Sequence, residues 1–283
     1  MNDAASPLGI LAGGGELPRR VARAAASAGR PVRVVVLNGF AATEDFAPHP
    51  AVAMRFGHAA RMLDWLRAEG VRQVVMAGTV TRPSMLSLMP DAATLKLATR
   101  IGRAAFGGDD SILQAVIRVL GEEGFEVLGA DRLLSGLTPK AGLLAGPEPD
   151  ADAVADIARG FAVAGALGAL DVGQAVVVQQ GLVLGVEAIE GTDALLARVG
   201  PLRREGPGGV LVKRVKPGQS RLADLPTIGP RTVAGAAAAG LRGLAIEANG
   251  TIVMERAATV AAAEAAGLFL LALHADDVGG SER

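Results

Sequence analysis

The residues of this sequence best suited to chemistry are carboxylates and lysines set beside turns built from glycine or proline. Asp224 opens the run Asp224-Leu-Pro-Thr-Ile-Gly-Pro230, a rigid turn that introduces a helix. A carboxylate held in this way suits general-base work or a metal ion. Just upstream, Val-Lys213-Arg-Val-Lys216-Pro-Gly-Gln219 ends an apolar strand in two lysines. Strand alternation puts Lys213 and Val215 on one face, and Arg214 and Lys216 on the other. A buried-looking strand that carries lysine suggests an anion site at its end. Asp109 and Asp110 follow two glycines at a helix start. There one acid can cap the helix while the other faces a cation, and Mg²⁺ needs only one or two such acids. Glu187, Glu190 and Asp193 surround Gly191-Thr192, where a strand ends and a helix opens. They could bind a metal, or only cap and solvate. Gly13-Gly14-Gly15, between a strand and a helix, would let backbone N–H groups approach a phosphate. Plainer readings stand beside these: a tight turn for the glycines, an N-cap for Asp109-Asp110, and a turn acid for Asp224.

Other chemistries are excluded or disfavoured. The 283 residues contain no cysteine, which removes disulfides, thiolate metal sites and thiol nucleophiles. With 28 basic and 29 acidic residues there is no charge excess to draw nucleic acid, and 3% aromatics leave few platforms for stacking bases. A content of 50% hydrophobic residues rules out a disordered chain. The glycine run has Pro18 where a dinucleotide fingerprint wants a third glycine, and the second strand ends in Leu37-Asn38 without an acid for a ribose. A Walker A lysine is missing as well. His49, His58 and His274 are far apart in the chain, and Trp65 falls on an apolar helical stripe with Met62 and Leu66. The N-terminus lacks a basic region before an apolar core, and no apolar run reaches the roughly 18 residues of a membrane span, so a cytoplasmic, soluble chain is expected.

To gather these residues the chain must alternate strands and helices. Apolar runs at 7–12, 32–37, 71–76 and 125–128 read as strands. Helical spacing follows the glycine run up to Gly29 and recurs at 59–69, 92–105 and 111–123. This pattern predicts a Rossmann-like α/β domain over residues 1–135, with a mostly parallel sheet covered on both faces. The Gly- and Pro-rich stretch 136–150 is expected to be a linker. Residues 151–283 form a second domain, α/β or α+β, with a helix at 151–167, a hairpin over 175–186, strands at 209–215, 243–247, 251–254 and 268–273, and helices at 231–239 and 258–266.

The runs LGILAGGGELP (8–18), VVMAGTVTRP (74–83), GGDDSIL (107–113), LGALDVGQAVVV (167–178), VEAIEGTDALL (186–196), VLVKRVKPGQ (210–219) and DLPTIGPRTV (224–233) together resemble the LpxI family. The resemblance runs in order over nearly the whole chain. It departs at Ser220, where an acid commonly follows the glutamine, and at His58, where glutamine is usual. It implies a Mg²⁺-dependent hydrolase of lipid A synthesis, acting in the cytoplasm at the inner face of the inner membrane. The enzyme would cleave the pyrophosphate of UDP-2,3-diacylglucosamine to UMP and lipid X, in a cleft between two domains. On this resemblance Asp224 orients or deprotonates the water or holds Mg²⁺, and Asp109, Asp110 and Glu190 are further metal candidates. Lys213 and Lys216 hold phosphate oxygens. Gly13, Gly14, Gly15, Ala77, Gly78 and Thr79 line the substrate, while Gln174, Thr192, Asp193, Gln219 and Thr227 contact nucleotide or sugar. The stripe Met85-Leu86-Leu88-Met89 is expected to border the acyl path. A homodimer is the default assembly. A phosphohydrolase for other UDP-sugars and a non-catalytic lipid or nucleotide carrier are the alternatives.

Overall fold

The computed structural model describes residues 6–80, 91–101, 109–134, 136–217, 222 and 225–278. The chain divides into two units, Met1–Ser135 with Ser220–Asp224, and Gly136–Gln219 with Leu225–Arg283. The structure is mixed α/β.

In the first unit, β1 (Leu8–Ala12), α1 (Leu17–Ser27), β2 (Val32–Leu37), β3 (Ala51–Met54), α2 (Ala59–Ala68), β4 (Gln73–Ala77), α3 (Ala92–Ile101), α4 (Asp109–Glu122) and β5 (Glu126–Leu128) follow in order. The strands form one parallel sheet in the order β3-β2-β1-β4-β5. Continuous valine runs make this possible, because each strand must be apolar on both faces. Val34, Val35 and Val36 of β2 are all fully buried. Ile10 and Val34 pack with Val21 and Ala25 of α1 on one face. Val35 and Val74 pack with Leu63 and Leu66 of α2 and Leu120 of α4 on the other, and Trp65 lies half-buried against that core. The strand β3 was not expected. It is a four-residue edge strand that becomes extended through its pairing with β2, Val34 opposite Ala51 to Leu37 opposite Met54. From the central β1 the chain runs to β2 on one side and to β4 on the other. The carboxyl ends of β1 and β4 therefore flank a topological switch point, the place where open parallel sheets receive ligands.

The second unit contains β6 (Gly142–Ala145), α5 (Ala151–Ala169), β7 (Ala175–Gln179), β8 (Leu182–Val186), α6 (Gly191–Val199), β9 (Val210–Lys213), β10 (Thr227–Ile228), α7 (Pro230–Ala238), β11 (Gly243–Glu247), β12 (Ile252–Val253), α8 (Arg256–Ala265), β13 (Phe269–Leu273) and α9 (Ala275–Val278). Six strands form a mixed sheet in the order β6-β13-β11-β9-β7-β8. The inner β9, β11 and β13 are parallel, whereas β6, β7 and β8 join antiparallel. A separate parallel pair joins β10 to β12. The helix α5 covers one face through Ile157 and Phe161. The helices α6, α7 and α8 cover the other through Leu195, Val233 and Ala263.

Residues 136–150 are a correction to the expected linker. They belong to the second unit, where β6 pairs with β13. The carbonyls of Leu137 and Pro139 accept the N–H groups of Val253 and Asn249. Glycine and proline there shape an edge strand and its approach. Among the described residues, no helix is long and apolar enough to cross a membrane.

The hairpin between β7 and β8 turns through Gln180 and Gly181, both at positive φ (55° and 74°). That is the twist a two-residue hairpin needs. Asp156, a buried acid of α5, accepts the N–H groups of Gln180 at 3.0 Å and Gly181 at 2.7 Å. Truncating it would remove the acceptor that fixes both turn N–H groups, which water could then reach at the exposed hairpin tip. Asp156→Ala is expected to destabilise the second unit by about 1–2 kcal/mol in urea denaturation.

Candidate active site

The carboxyl end of β9 delivers Lys213 into the second unit, where it is only 6% exposed. An ammonium in that position needs acceptors. Lys213 Nζ donates to Thr192 Oγ1 at 2.7 Å and to the carbonyl of Thr227 at 3.1 Å. Thr192, in the first turn of α6, donates its own hydroxyl hydrogen bond to Glu187 Oε1. Glu187 Oε2 accepts the backbone N–H of Gln174 at 3.2 Å, and the Glu187 N–H continues the sheet ladder to the carbonyl of Ala175. Residues from four segments thus meet in one buried polar network. It brings together the expected site residues Lys213, Thr192, Gln174 and Thr227. It also brings in Glu187, which the sequence offers as a metal or capping acid and not as a partner of Lys213. The signal for it was an acid that directly continues an apolar strand.

Lys216 does not join this network. Alternation sends it and Arg214 to the opposite face, toward α5. Lys216 Nζ pairs with Asp171 Oδ1 at 2.7 Å, and both side chains are largely covered. A Cβ added to Gly168 would lie 3.1 Å from Lys216 Cα, so the α5 backbone comes close here. Arg214 donates to the carbonyl of Phe161 at 3.1 Å, with its guanidinium 5.8 Å from the Phe161 ring centroid. Its N–H bonds to the carbonyl of Gln174, and the N–H of Val215 to Glu247 Oε2. These contacts root the end of β9.

In the first unit the loops after β1 and β4 touch. The N–H of Gly13 bonds to the carbonyl of Ala77, and Gly14 and Thr79 exchange two backbone hydrogen bonds of 2.8 and 2.9 Å. A Cβ on Gly13 would fall 2.6 Å from the Thr79 carbonyl oxygen, and one on Gly78 2.5 Å from that of Gly14. Gly78 also has φ of 95°. The glycines are needed because two backbones meet, and that meeting already engages the N–H groups of Gly13 and Gly14 expected to face a phosphate. Beyond Gly15, α1 begins with Glu16 at its N-cap, paired to Arg19 and Arg23.

The acids separate by environment. Glu190 stands at the N-cap position of α6 without a side-chain cap bond, and its carboxylate binds Arg198 at 2.8 Å and the N–H of Ala188 at 3.2 Å. Its own backbone N–H, then Arg198, hold its carboxyl below the ordinary value of 4.5. These partners engage it as an ion-pair acid at the start of α6. Asp193 forms an exposed pair with Arg231 at 2.7 Å. Asp109 and Asp110 open α4, but their side chains lie outside the described residues, as do Asp224, Gln219 and the stripe Met85–Met89. Among the described residues, no three His, Asp or Glu side chains stand together to hold a metal ion.

Fold and site together define an α/β protein of two units, with a Rossmann-type parallel sheet in the first and a buried ammonium–hydroxyl–carboxylate network in the second. Family models described as the LpxI N-terminal domain and the LpxI C-terminal domain match residues 7–137 and 140–271. The chain belongs to the LpxI family, as the sequence runs led one to expect. It is 42% identical over 272 residues to the UDP-2,3-diacylglucosamine pyrophosphatase LpxI of Caulobacter vibrioides, covering 94% of this chain and 97% of that one.

Two outcomes follow from this geometry. Gly78→Ala is expected to cost about 1–3 kcal/mol in chemical denaturation, since its φ and its contact with Gly14 both resist a side chain. For Glu190, a lowered folded-state pKa means that the stabilisation is present above the unfolded value and lost as pH falls through the folded one. Glu190→Gln should therefore lower the Tm at pH 7, and the gap to the parent should close as the pH falls well below 4.5.

Proposed function

We propose that this chain hydrolyses the pyrophosphate of UDP-2,3-diacylglucosamine. Water adds its oxygen to one phosphorus, the bridging P–O bond breaks, and a proton leaves. The products are UMP and 2,3-diacylglucosamine 1-phosphate, lipid X. The observation that carries this reading is the end-to-end match to a relative of that name, 42% identical over 94% of this chain. The buried Lys213 supports it, because anhydride cleavage needs fixed positive charge where negative charge collects on phosphate oxygens.

We assign to Asp224 the task of orienting or deprotonating the attacking water, or of holding Mg²⁺. A hard cation takes carboxylate oxygen, and Glu190 is engaged by Arg198. Asp224, Asp109 and Asp110 lead the metal reading, and Glu190 joins it only on leaving Arg198. When bound, Mg²⁺ would neutralise charge on the pyrophosphate oxygens. A diacylated substrate places the work at a membrane surface, and the cytoplasmic face of the inner membrane fits this chemistry.

The test is UMP release from UDP-2,3-diacylglucosamine with Mg²⁺ and with EDTA. Release is expected with Mg²⁺ and should stop with EDTA. Asp224→Ala should fall by about 100-fold or more. Near-normal turnover of Asp224→Ala with unchanged Mg²⁺ dependence would contradict the role given to Asp224. Tight binding of the lipid-nucleotide without any product would contradict hydrolysis.

A further inference from the structure

We propose that Glu187, acting through Thr192, is the positioning residue for Lys213 in the hydrolysis proposed above, a reading on which this inference rests. Lysine is scarce here. The sequence has four, Lys96, Lys140, Lys213 and Lys216, among 28 basic residues. Lys213 is the one buried lysine among the described residues. A lysine head is a compact charge on a flexible stem and lacks the fixed fork of arginine. If its direction matters, something outside the side chain must set it.

Glu187 and Thr192 do so by hydrogen-bond logic. An ammonium can only donate, an ionised carboxylate can only accept, and a hydroxyl has one proton to give. Between Lys213 and Glu187 the Thr192 hydroxyl must accept from the first and donate to the second, as observed. The carboxylate is held in place from two sides. Its second oxygen is taken by the Gln174 N–H, and its backbone is bound into the ladder at Ala175. The carboxylate thus balances the buried charge while the hydroxyl holds it at a fixed place. A further bond of Lys213 goes to the carbonyl of Thr227, three residues after Asp224 in the chain. The same relay therefore sets the direction of the ammonium and ties down the strand that follows the proposed water-handling acid.

The experiment compares Thr192→Val, which keeps the shape and loses the hydroxyl, with Thr192→Ser, which keeps the hydroxyl, in the full chain with UDP-2,3-diacylglucosamine. Thr192→Val is expected to lose about 10- to 100-fold in kcat, the scale of a lost charge-assisted hydrogen bond, with KM changed less than about threefold. Thr192→Ser should stay within about threefold of the parent in both. Adding Glu187→Gln to Thr192→Val should cost little more, since both act on one path. A second readout does not depend on turnover. With ¹⁵N-labelled lysine, four ζ-ammonium groups are in question, and that of Lys213 should be shielded from solvent exchange in the parent and in Thr192→Ser but not in Thr192→Val. Parent-like kcat in Thr192→Val, or equal losses in Thr192→Val and Thr192→Ser, would overturn the proposal. A parent chain that leaves the lipid-nucleotide uncleaved would overturn the hydrolase reading and the catalytic side of this role. The ζ-ammonium signals would still decide whether Glu187 and Thr192 hold Lys213.

Discussion

A lysine carried to the end of a buried strand must have a partner for its charge, and much of the second unit serves that need. The carboxylate of Glu187 can balance Lys213 because β8 ends where β9 ends, two strands away in the same sheet. The intervening β7 runs antiparallel to both and brings Gln174 beside Glu187. The helix α6 opens where its first turn can place the Thr192 hydroxyl between the two charges. A mixed sheet, whose β7–β8 hairpin is secured by Asp156, is thus tied to the chemistry through strand direction. Had β8 slipped by one residue, Glu187 would have turned to the other face.

The first unit meets a different constraint, the approach of two backbones at a switch point. The N–H and carbonyl groups of Gly14 and Thr79 satisfy one another, which joins the loops after β1 and β4 into one rigid edge. At Gly13 and Gly78 distance excludes a side chain, while Thr79 and Val80 stand exposed beside them. This edge spends its backbone groups on joining the two loops. It offers fewer free N–H donors than a glycine-rich phosphate loop.

Much of this was legible from the residues. The apolar runs of β1, β2, β4 and β7 announce strands because a sheet covered on both faces demands them. Edge strands were harder. Ala51–Met54 and Gly142–Ala145 are short and flanked by proline or glycine, and their neighbours make them strands. In the site, Lys213, Thr192, Gln174 and Thr227 stood out through their motifs, yet their meeting depends on where helices and strands end, to within a residue. The acid run between 187 and 193 shows this limit. Glu187 still follows the strand inward, while Glu190 lies past its end and serves the helix and Arg198. The separation of Lys216 from Lys213 was already implied by alternation, although both had been read as phosphate contacts. The Asp171 that engages Lys216 could not be foreseen, because it lies 45 residues away in sequence at the far end of α5.

The assignment is tested most directly by ³¹P NMR of the full chain with UDP-2,3-diacylglucosamine and Mg²⁺. The predicted result is loss of the two coupled diphosphate resonances and growth of two phosphomonoester resonances, those of UMP and of 2,3-diacylglucosamine 1-phosphate. Diphosphate resonances that persist while the lipid-nucleotide is bound would contradict it.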